Sequence, residues 1–130
     1  SGDASELAGA LSRHATAAGR TVPVLVEVNV GGEASKFGVA PDGLEPLLGQ
    51  VAALPGLALE GLMTVAPAAD EPEAARPVFA ALRALAGRAE RALGIRLRQL
   101  SMGMSGDFEV AIEEGSTMVR VGSAIFGPRI

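Results

Sequence analysis

A chain of 130 residues, 48% of them hydrophobic and with a mean hydropathy of +0.33, carries enough apolar surface for one domain with a buried core, which excludes a disordered segment. A net charge of −4, with four Phe as the only aromatic residues, offers no basic, stacking-rich footprint, so nucleic-acid binding is not expected. Without cysteine there is no disulfide, thiol nucleophile or cysteine-based metal site, a composition that suits a reducing cytoplasm.

Residues 1–20 lack a basic start and an apolar centre, and the apolar run 22–30 is interrupted by Glu27, so neither a signal peptide nor a membrane span is expected. Asp3 and Glu6 have the spacing of an N-cap and its capping-box partner. Leu7, Ala10, Leu11, His14, Ala15 and Ala18 then recur at helical intervals up to Gly19, which predicts a first helix packed along that stripe. His14, the only histidine, has no acid or thiol nearby at metal or triad spacing and is expected to be packed or edge-exposed. Residues 22–30, Val-Pro-Val-Leu-Val-Glu-Val-Asn-Val, are almost continuously apolar, as a parallel strand covered on both faces should be. Glu27 and Asn29 share one face near its end. An α/β barrel keeps its ligand contacts at such ends, so Asn29 is a candidate contact, or else a residue that ties down the next loop.

That loop holds Glu33-Ala34-Ser35-Lys36-Phe37-Gly38, with the only lysine of the chain. Leu44, Leu47, Leu48, Val51 and Ala52 form a second helical stripe, stopped near Pro55-Gly56. A second strand is predicted at about 58–65, a turn-rich connector over 66–72, and a helix from about Ala74 to Leu93. Val78, Phe79, Leu82, Leu85, Ala86, Ala89 and Leu93 share one face of it, and Pro77 marks its first turn or a kink. Residues 97–102 read as a third strand. Ser105 can cap a short helix carrying Phe108, Ala111 and Ile112, ended by Gly115.

Residues 117–121 make a fourth strand, and Gly122-Ser123 then leads into Ala124-Ile125-Phe126, predicted to open a helix. A strand feeding a helix N-terminus through glycine presents unpaired N–H groups and a positive dipole end, a site for phosphate. Alternation sets Met118 and Arg120 on one side of that strand and Val119 and Val121 on the other. A guanidinium facing the middle of the fold needs an anion, which is either an acidic ligand or a structural carboxylate. Strands alternating with helices throughout predict an α/β fold with a parallel sheet, either a small open sheet or part of a barrel.

Ser101-Met102-Gly103-Met104-Ser105, the run Gly115-Ser116-Thr117-Met118-Val119-Arg120-Val121-Gly122 and the closing Ala124-Ile125-Phe126-Gly127 together resemble the pyridoxal phosphate homeostasis protein family. These pyridoxal 5′-phosphate (PLP) binding proteins are similar to the barrel domain of alanine racemase. Val28-Asn29, Glu33-Ala34-Ser35-Lys36-Phe37-Gly38 and Gly61-Leu62-Met63-Thr64-Val65 match further family segments in order, so the resemblance covers nearly the whole chain. It implies a (β/α)8 TIM-type barrel of the PLP fold-type III class, with residues 1–130 as a single domain supplying about the last four strands. It also implies a non-catalytic, cytoplasmic PLP carrier or buffer in vitamin B6 homeostasis, with PLP-dependent apo-enzymes as recipients. The cofactor contacts it implies are Ser101, Gly122 and Ser123, with Arg120 close to the ring or phosphate. Met102, Met63 and Asn29 are second candidates, and methionines in such places are more often core than ligand contacts. No catalytic or metal-binding residue is implied.

A full barrel of this kind takes roughly 200 residues or more. The family's PLP lysine sits on the first barrel strand, outside these residues, and Lys36 is a different, loop-borne lysine. Gly31-Gly32 and Gly106 stand where more polar residues are common, and Ser123 where threonine is usual, which keeps the hydroxyl. Half a barrel exposes two sheet edges and an apolar interior, so the chain is expected to be part of a longer polypeptide, to meet a partner that supplies the missing strands, or to self-associate. The rival is a PLP-dependent amino-acid racemase. That chemistry calls for a lysine opposed by an acid or base, usually tyrosine, and the chain has no tyrosine. An arginine beside the pyridine nitrogen would also weaken the ring as an electron sink. A phosphate-binding aldolase or isomerase would explain Gly122-Ser123 but not the ordered motifs.

Overall fold

Two hydrophobic periods alternate along the chain and set out its elements. The computed structural model describes residues 4–30, 38–66, 71–104, 106–121 and 124–126, with the main chain alone for 120, 121 and 124–126. The elements are α1 (Ala4–Ala17), β1 (Val22–Glu27), α2 (Leu44–Ala53), β2 (Leu57–Met63), α3 (Arg76–Leu93), β3 (Gln99–Ser101), α4 (Phe108–Glu113), β4 (Val119–Val121) and β5 (Ala124–Phe126). Short 3₁₀ turns at Pro41–Gly43 and Pro72–Ala75 lead into α2 and α3. Pro at the start of each suits positions whose N–H would be unpaired in any case.

β1, β2 and β3 form a parallel sheet in that order, and a single parallel bridge from Ser101 to Met118 continues it toward β4. Parallel neighbours need a crossover, and α2 and α3 supply the two between these strands. Both helices bury one stripe: Leu44, Leu47, Leu48 and Val51 on α2, and Phe79, Leu82, Leu85, Ala86 and Ala89 on α3. Val26, Val28, Leu62, Leu100 and Met102 from the sheet join them in one core cluster. These stripes agree with the periodicity, except that Ala52 and Leu93 are exposed and Val78 is only half-buried.

Two packing expectations are corrected. α1 does not pack along Leu7 and Leu11, which are 60% and 41% exposed; its buried residues are Ala8, Ser12 and Ala15. Small side chains let α1 approach the turn before β2 closely. An added Cβ at Gly56 would lie 3.1 Å from the Ala15 Cβ, and the Ser12 hydroxyl donates to the Pro55 carbonyl at 2.6 Å. On α4, likewise, Val110 and Ala111 are buried while Phe108 and Ile112 are exposed. The expected caps, Asp3 and Ser105, lie outside the described residues.

A third correction concerns the chain end. Ala124–Phe126 does not open a helix. It is β5, antiparallel to β4, with Val119 opposite Phe126, Arg120 opposite Ile125 and Val121 opposite Ala124. Two β-prone runs separated by the pair Gly-Ser carry the sequence pattern of a hairpin, and that pattern outweighs helix propensity here.

β2 passes β3 at close range. A Cβ on Gly61 would sit 1.8 Å from the Gln99 carbonyl oxygen, and the β1–β2 register shifts between Val24 and Leu25 at the same level. On the opposite side of the helix layer, Arg76 at the start of α3 meets Glu73 at 2.8 Å, Glu113 at 2.6 Å and Glu114 at 2.7 Å, tying α3 to the end of α4. The Glu114 side chain is 19% exposed against 67% for Glu73, so the pair with Glu114 is the one best shielded from solvent. The hydrogen bond from Arg76 holds the Glu73 carboxyl below its ordinary range, and the three carboxylates raise the guanidinium further.

Gly61→Ala should therefore destabilise the fold by more than about 4 kcal/mol, because the clash is with main chain that cannot swing aside. Gly49→Ala on α2, where no atom lies within 4 Å of the new Cβ, should instead stabilise by about 0.5–1 kcal/mol. Urea denaturation of both variants checks the contrast, and a folded Gly61→Ala of wild-type stability would refute the close approach.

The Arg76 clamp gives a pH dependence of definite sign. The Glu73 contribution, from a depressed carboxyl, is present above the unfolded pKa and is lost as pH falls through the lowered folded value. Arg76→Gln should thus melt below wild type near neutrality, with the gap closing in acid and narrowing in high salt. Melting curves across pH and salt measure it, and a constant gap would count against the clamp.

Candidate functional site

Parallel strands end on one edge, so the register decides which residues meet there. Glu27 pairs with Met63, Met63 with Ser101, and Ser101 bridges to Met118, which makes one row of half-buried side chains. Alternation turns this row away from the helices, since Val26, Leu62 and Leu100 beside it belong to the core. Asn29 stands two residues past Glu27, and Arg120 occupies the register position two residues past Met118. The strand ends are fixed in height by Val28 N–H to the Met63 carbonyl at 2.8 Å and Thr64 N–H to the Ser101 carbonyl at 3.1 Å. The buried Thr64 hydroxyl also donates to the Val28 carbonyl at 2.7 Å.

The loop after β1 returns to the same edge. Val39 donates to the Glu27 carbonyl and accepts from Asn29 N–H, each at 2.9 Å. The Asn29 main chain thus does tie down the following loop. Gly38 lies so close that a Cβ there would meet Asn29 N at 3.0 Å.

The β3–β4 junction rests on hydroxyls. Ser116 Oγ is 2.7 Å from the Met102 carbonyl, 2.8 Å from the Met118 carbonyl and 3.3 Å from the Leu100 carbonyl. Thr117 Oγ1 accepts from Leu100 N–H at 2.8 Å and donates to Gln99 Oε1 at 2.8 Å. The main chain adds Thr117 N–H to the Leu100 carbonyl at 2.9 Å and Met102 N–H to the Met118 carbonyl at 3.1 Å. Gly103, with φ at +103°, follows directly. A Cβ there would fall 2.6 Å from the Ala111 Cβ and 3.2 Å from Val119 Cγ1, so α4 and β4 both press on this turn.

Of the residues singled out in the sequence, the fold brings Asn29, Met63 and Ser101 to one edge, with the Arg120 main chain at its β4 side. Among the described residues the Ser101 hydroxyl makes no hydrogen bond, which leaves it available to a ligand at the end of β3. Met102 is turned the other way: its side chain is 2% exposed in the core, and its N–H and carbonyl are taken by Met118 and Ser116. Gly122, Ser123 and Lys36 lie outside the described residues. Sequence reasoning missed Ser116, Thr117 and Gln99. The signal was the polar pair Ser116-Thr117 standing directly before an apolar strand, a place where hydroxyls often satisfy main-chain groups. Among the described residues no cluster of three or more acids or histidines could hold a metal, and no helix is long and apolar enough to cross a membrane. The edge offers one uncommitted hydroxyl, a thioether and a single carboxylate in the row, Glu27. That set offers apolar contact beside a few polar groups, as small-molecule sites do.

A Pyridoxal phosphate homeostasis protein from Aquifex aeolicus is 51% identical over 106 residues, which are 82% of this chain and 46% of that protein. PipY from Synechococcus elongatus, solved with PLP bound, superposes with a TM-score of 0.81 at 32% identity over 93% of this chain and 56% of that one. An alanine racemase from Clostridium difficile shares the fold, with a TM-score of 0.75 at 19% identity over 93% of this chain and 32% of the racemase. The chain thus spans about half the length of the curated relatives it matches. The family model described as alanine racemase, N-terminal domain, matches residues 3–129, and the chain belongs to that family.

Proposed function

We propose that the chain is one domain, residues 1–130, supplying about the last four strands of a (β/α)8 barrel of the PLP fold-type III class, and that the protein holds and buffers PLP without turning over a substrate. The observation that carries this is the single edge on which Asn29, Met63 and Ser101 end beside β4, in a chain 51% identical to a Pyridoxal phosphate homeostasis protein. The residues fit the group: an unengaged serine hydroxyl at the end of β3 is a donor for phosphate, and the half-buried Met63 beside it offers apolar contact to a ring. PLP supplies an electrophilic aldehyde and an electron-accepting ring. In this reading Ser101 donates to the phosphate, Ser123 adds a second hydroxyl, and Gly122 leaves room for close approach. Arg120 supplies positive charge near the ring or phosphate, and Asn29 bounds the site at β1. Met102 acts through its place in the core, holding the end of β3. A cytoplasmic setting and delivery to PLP-dependent apo-enzymes belong to the same proposal. The racemase reading draws on the shared family model and on fold likeness, without a racemase among the relatives of higher identity named above.

The remaining barrel strands have a place to go. On β1, Val22 and Val28 turn their N–H groups to β2, whereas Asn29 bonds Val39 on the far side, so among the described residues the stretch before Glu27 has no strand paired to its outer edge. A groove of about 710 Å³ runs along it, lined by Leu7, Leu11, Val24, Leu25 and Leu57. In this reading, strands from the rest of a polypeptide of the relatives' length cover that edge.

A polypeptide of that length should bind PLP, whereas residues 1–130 alone should keep none covalently after borohydride reduction, since by the family resemblance Lys36 is not the lysine that carries PLP. Absorbance titration and intact mass decide it, and a PLP adduct on Lys36 would sink the proposal. In the longer polypeptide, Ser101→Ala should weaken PLP about five-fold, the loss of one hydrogen bond, and Gly122→Asp should abolish phosphate recognition by repulsion and bulk. Unchanged affinity in a folded Gly122→Asp would place the phosphate elsewhere.

A further inference from the structure

We infer that Ser116 and Thr117 are positioning residues for the phosphate end of the ligand: they set the gap between the ends of β3 and β4, and so the discrimination between phosphorylated and unphosphorylated forms of the vitamin. The inference rests on the PLP-binding reading above.

Between β3 and β4 the ladder is thin. One bridge, Ser101 to Met118, joins them, where β1 and β2 share six register pairs. Side-chain oxygens supply what main-chain pairing does not. The carbonyl oxygens of Leu100, Met102 and Met118 converge on Ser116 Oγ at 3.3, 2.7 and 2.8 Å. A hydroxyl carries one proton, so it serves these acceptors by turns, and its loss would leave like partial charges facing one another across the junction. Thr117 Oγ1 stands where a strand carbonyl would, accepting from Leu100 N–H and donating to Gln99 Oε1. Gln99 is itself 9% exposed, so this relay is shielded from water, which would otherwise replace it. The Ser116 N–H is anchored on the Ala111 carbonyl at 2.9 Å, which brings α4 into the same joint.

The joint touches no proposed ligand contact directly. It lies beside the Ser101–Met118 bridge, where the end of β3 meets the main chain that enters β4. Two hydrogen-bonding groups on different strands grip a phosphate only at one separation, since hydrogen bonds weaken steeply beyond their optimal geometry. Asn29 on the β1 side and Met63 on β2 lie away from this gap, so loosening it should cost phosphate affinity more than affinity for the rest of the ligand.

The test compares PLP with unphosphorylated pyridoxal by fluorescence titration, in a polypeptide of the relatives' length, for wild type, Ser116→Ala, Thr117→Val and Thr117→Ser, with apo-protein melting measured beside it. Ser116→Ala and Thr117→Val should each weaken PLP about five- to ten-fold while pyridoxal affinity stays within about two-fold, and Thr117→Ser, which keeps the hydroxyl, should restore PLP affinity. Equal losses for both ligands, or no loss for either, would overturn the inference and show a joint that serves stability alone. If Ser116→Ala does not fold, the Thr117→Val and Thr117→Ser pair decides the question on its own. Wild-type protein that binds neither ligand would instead remove the PLP-binding reading, and this inference with it.

Discussion

Everything at the candidate site depends on strand ends being held level by main-chain hydrogen bonds. Glu27, Met63, Ser101 and Met118 form a row only because each strand pairs in parallel with the next, and Val28, Thr64 and Met102 each carry the ladder one residue past the strand proper. A shift of one residue in any pair would exchange the row for its core neighbours, placing Leu62 or Leu100 at the edge and a polar residue under the helices. The helix stripes oppose such a slip. Phe79, Leu48 and Leu82 are fully buried against Leu62 and its neighbours, and each would lose its partner surface. The close passage at Gly61 adds a steric lock, because only a residue without a side chain fits beside the Gln99 carbonyl.

Large, regular signals in the sequence were legible. The stripes of α2 and α3, the apolar strand at 22–27 and the turn at Pro55-Gly56 all follow from periodicity and from glycine and proline. What misled was the assumption that the largest apolar residues define the buried face. On α1 the inward residues are Ala8, Ser12 and Ala15, because close approach to Gly56 favours small side chains, and the leucines line a groove instead. The same holds for Ala111 against Gly103, where the demand for space was visible in the glycine but not its partner. Candidate contacts at 29, 63 and 101 were legible through the family resemblance. Gln99, Ser116 and Thr117 were not, since their contribution comes from three-dimensional convergence on carbonyl groups that no spacing rule encodes.

The open edge of β1 and the exposed leucines of α1 describe one feature from two directions. Leu7 and Leu11 are one turn apart on α1, and both border the groove along Val24 and Leu25. Unpaired strand edges and a contiguous apolar lining together are an association hazard in isolation. Val39 covers the upper end of that edge, and the groove below it reaches up to Glu27 and Met63 in the row at the strand ends.

The assignment of Ala124–Phe126 to a strand changes the physics expected of an anion at this edge. A helix opening there would have brought aligned peptide dipoles to bear on a phosphate, an attraction tolerant of small displacements. An antiparallel pairing of β5 with β4 supplies no comparable macrodipole, because strand dipoles largely cancel. Under the PLP-binding reading, recognition then falls to discrete donors, and hydrogen bonds are far less tolerant of position than a dipole field. Such a site needs its two sides held at a fixed distance. The thin β3–β4 ladder alone is poorly suited to that, whereas a hydroxyl shared among three carbonyl groups, backed by the buried Thr117–Gln99 contact, is well suited. The absence of a helix at residues 124–126 and the weight carried by Ser116 and Thr117 are thus two sides of one arrangement, in which geometry takes the place of the dipole.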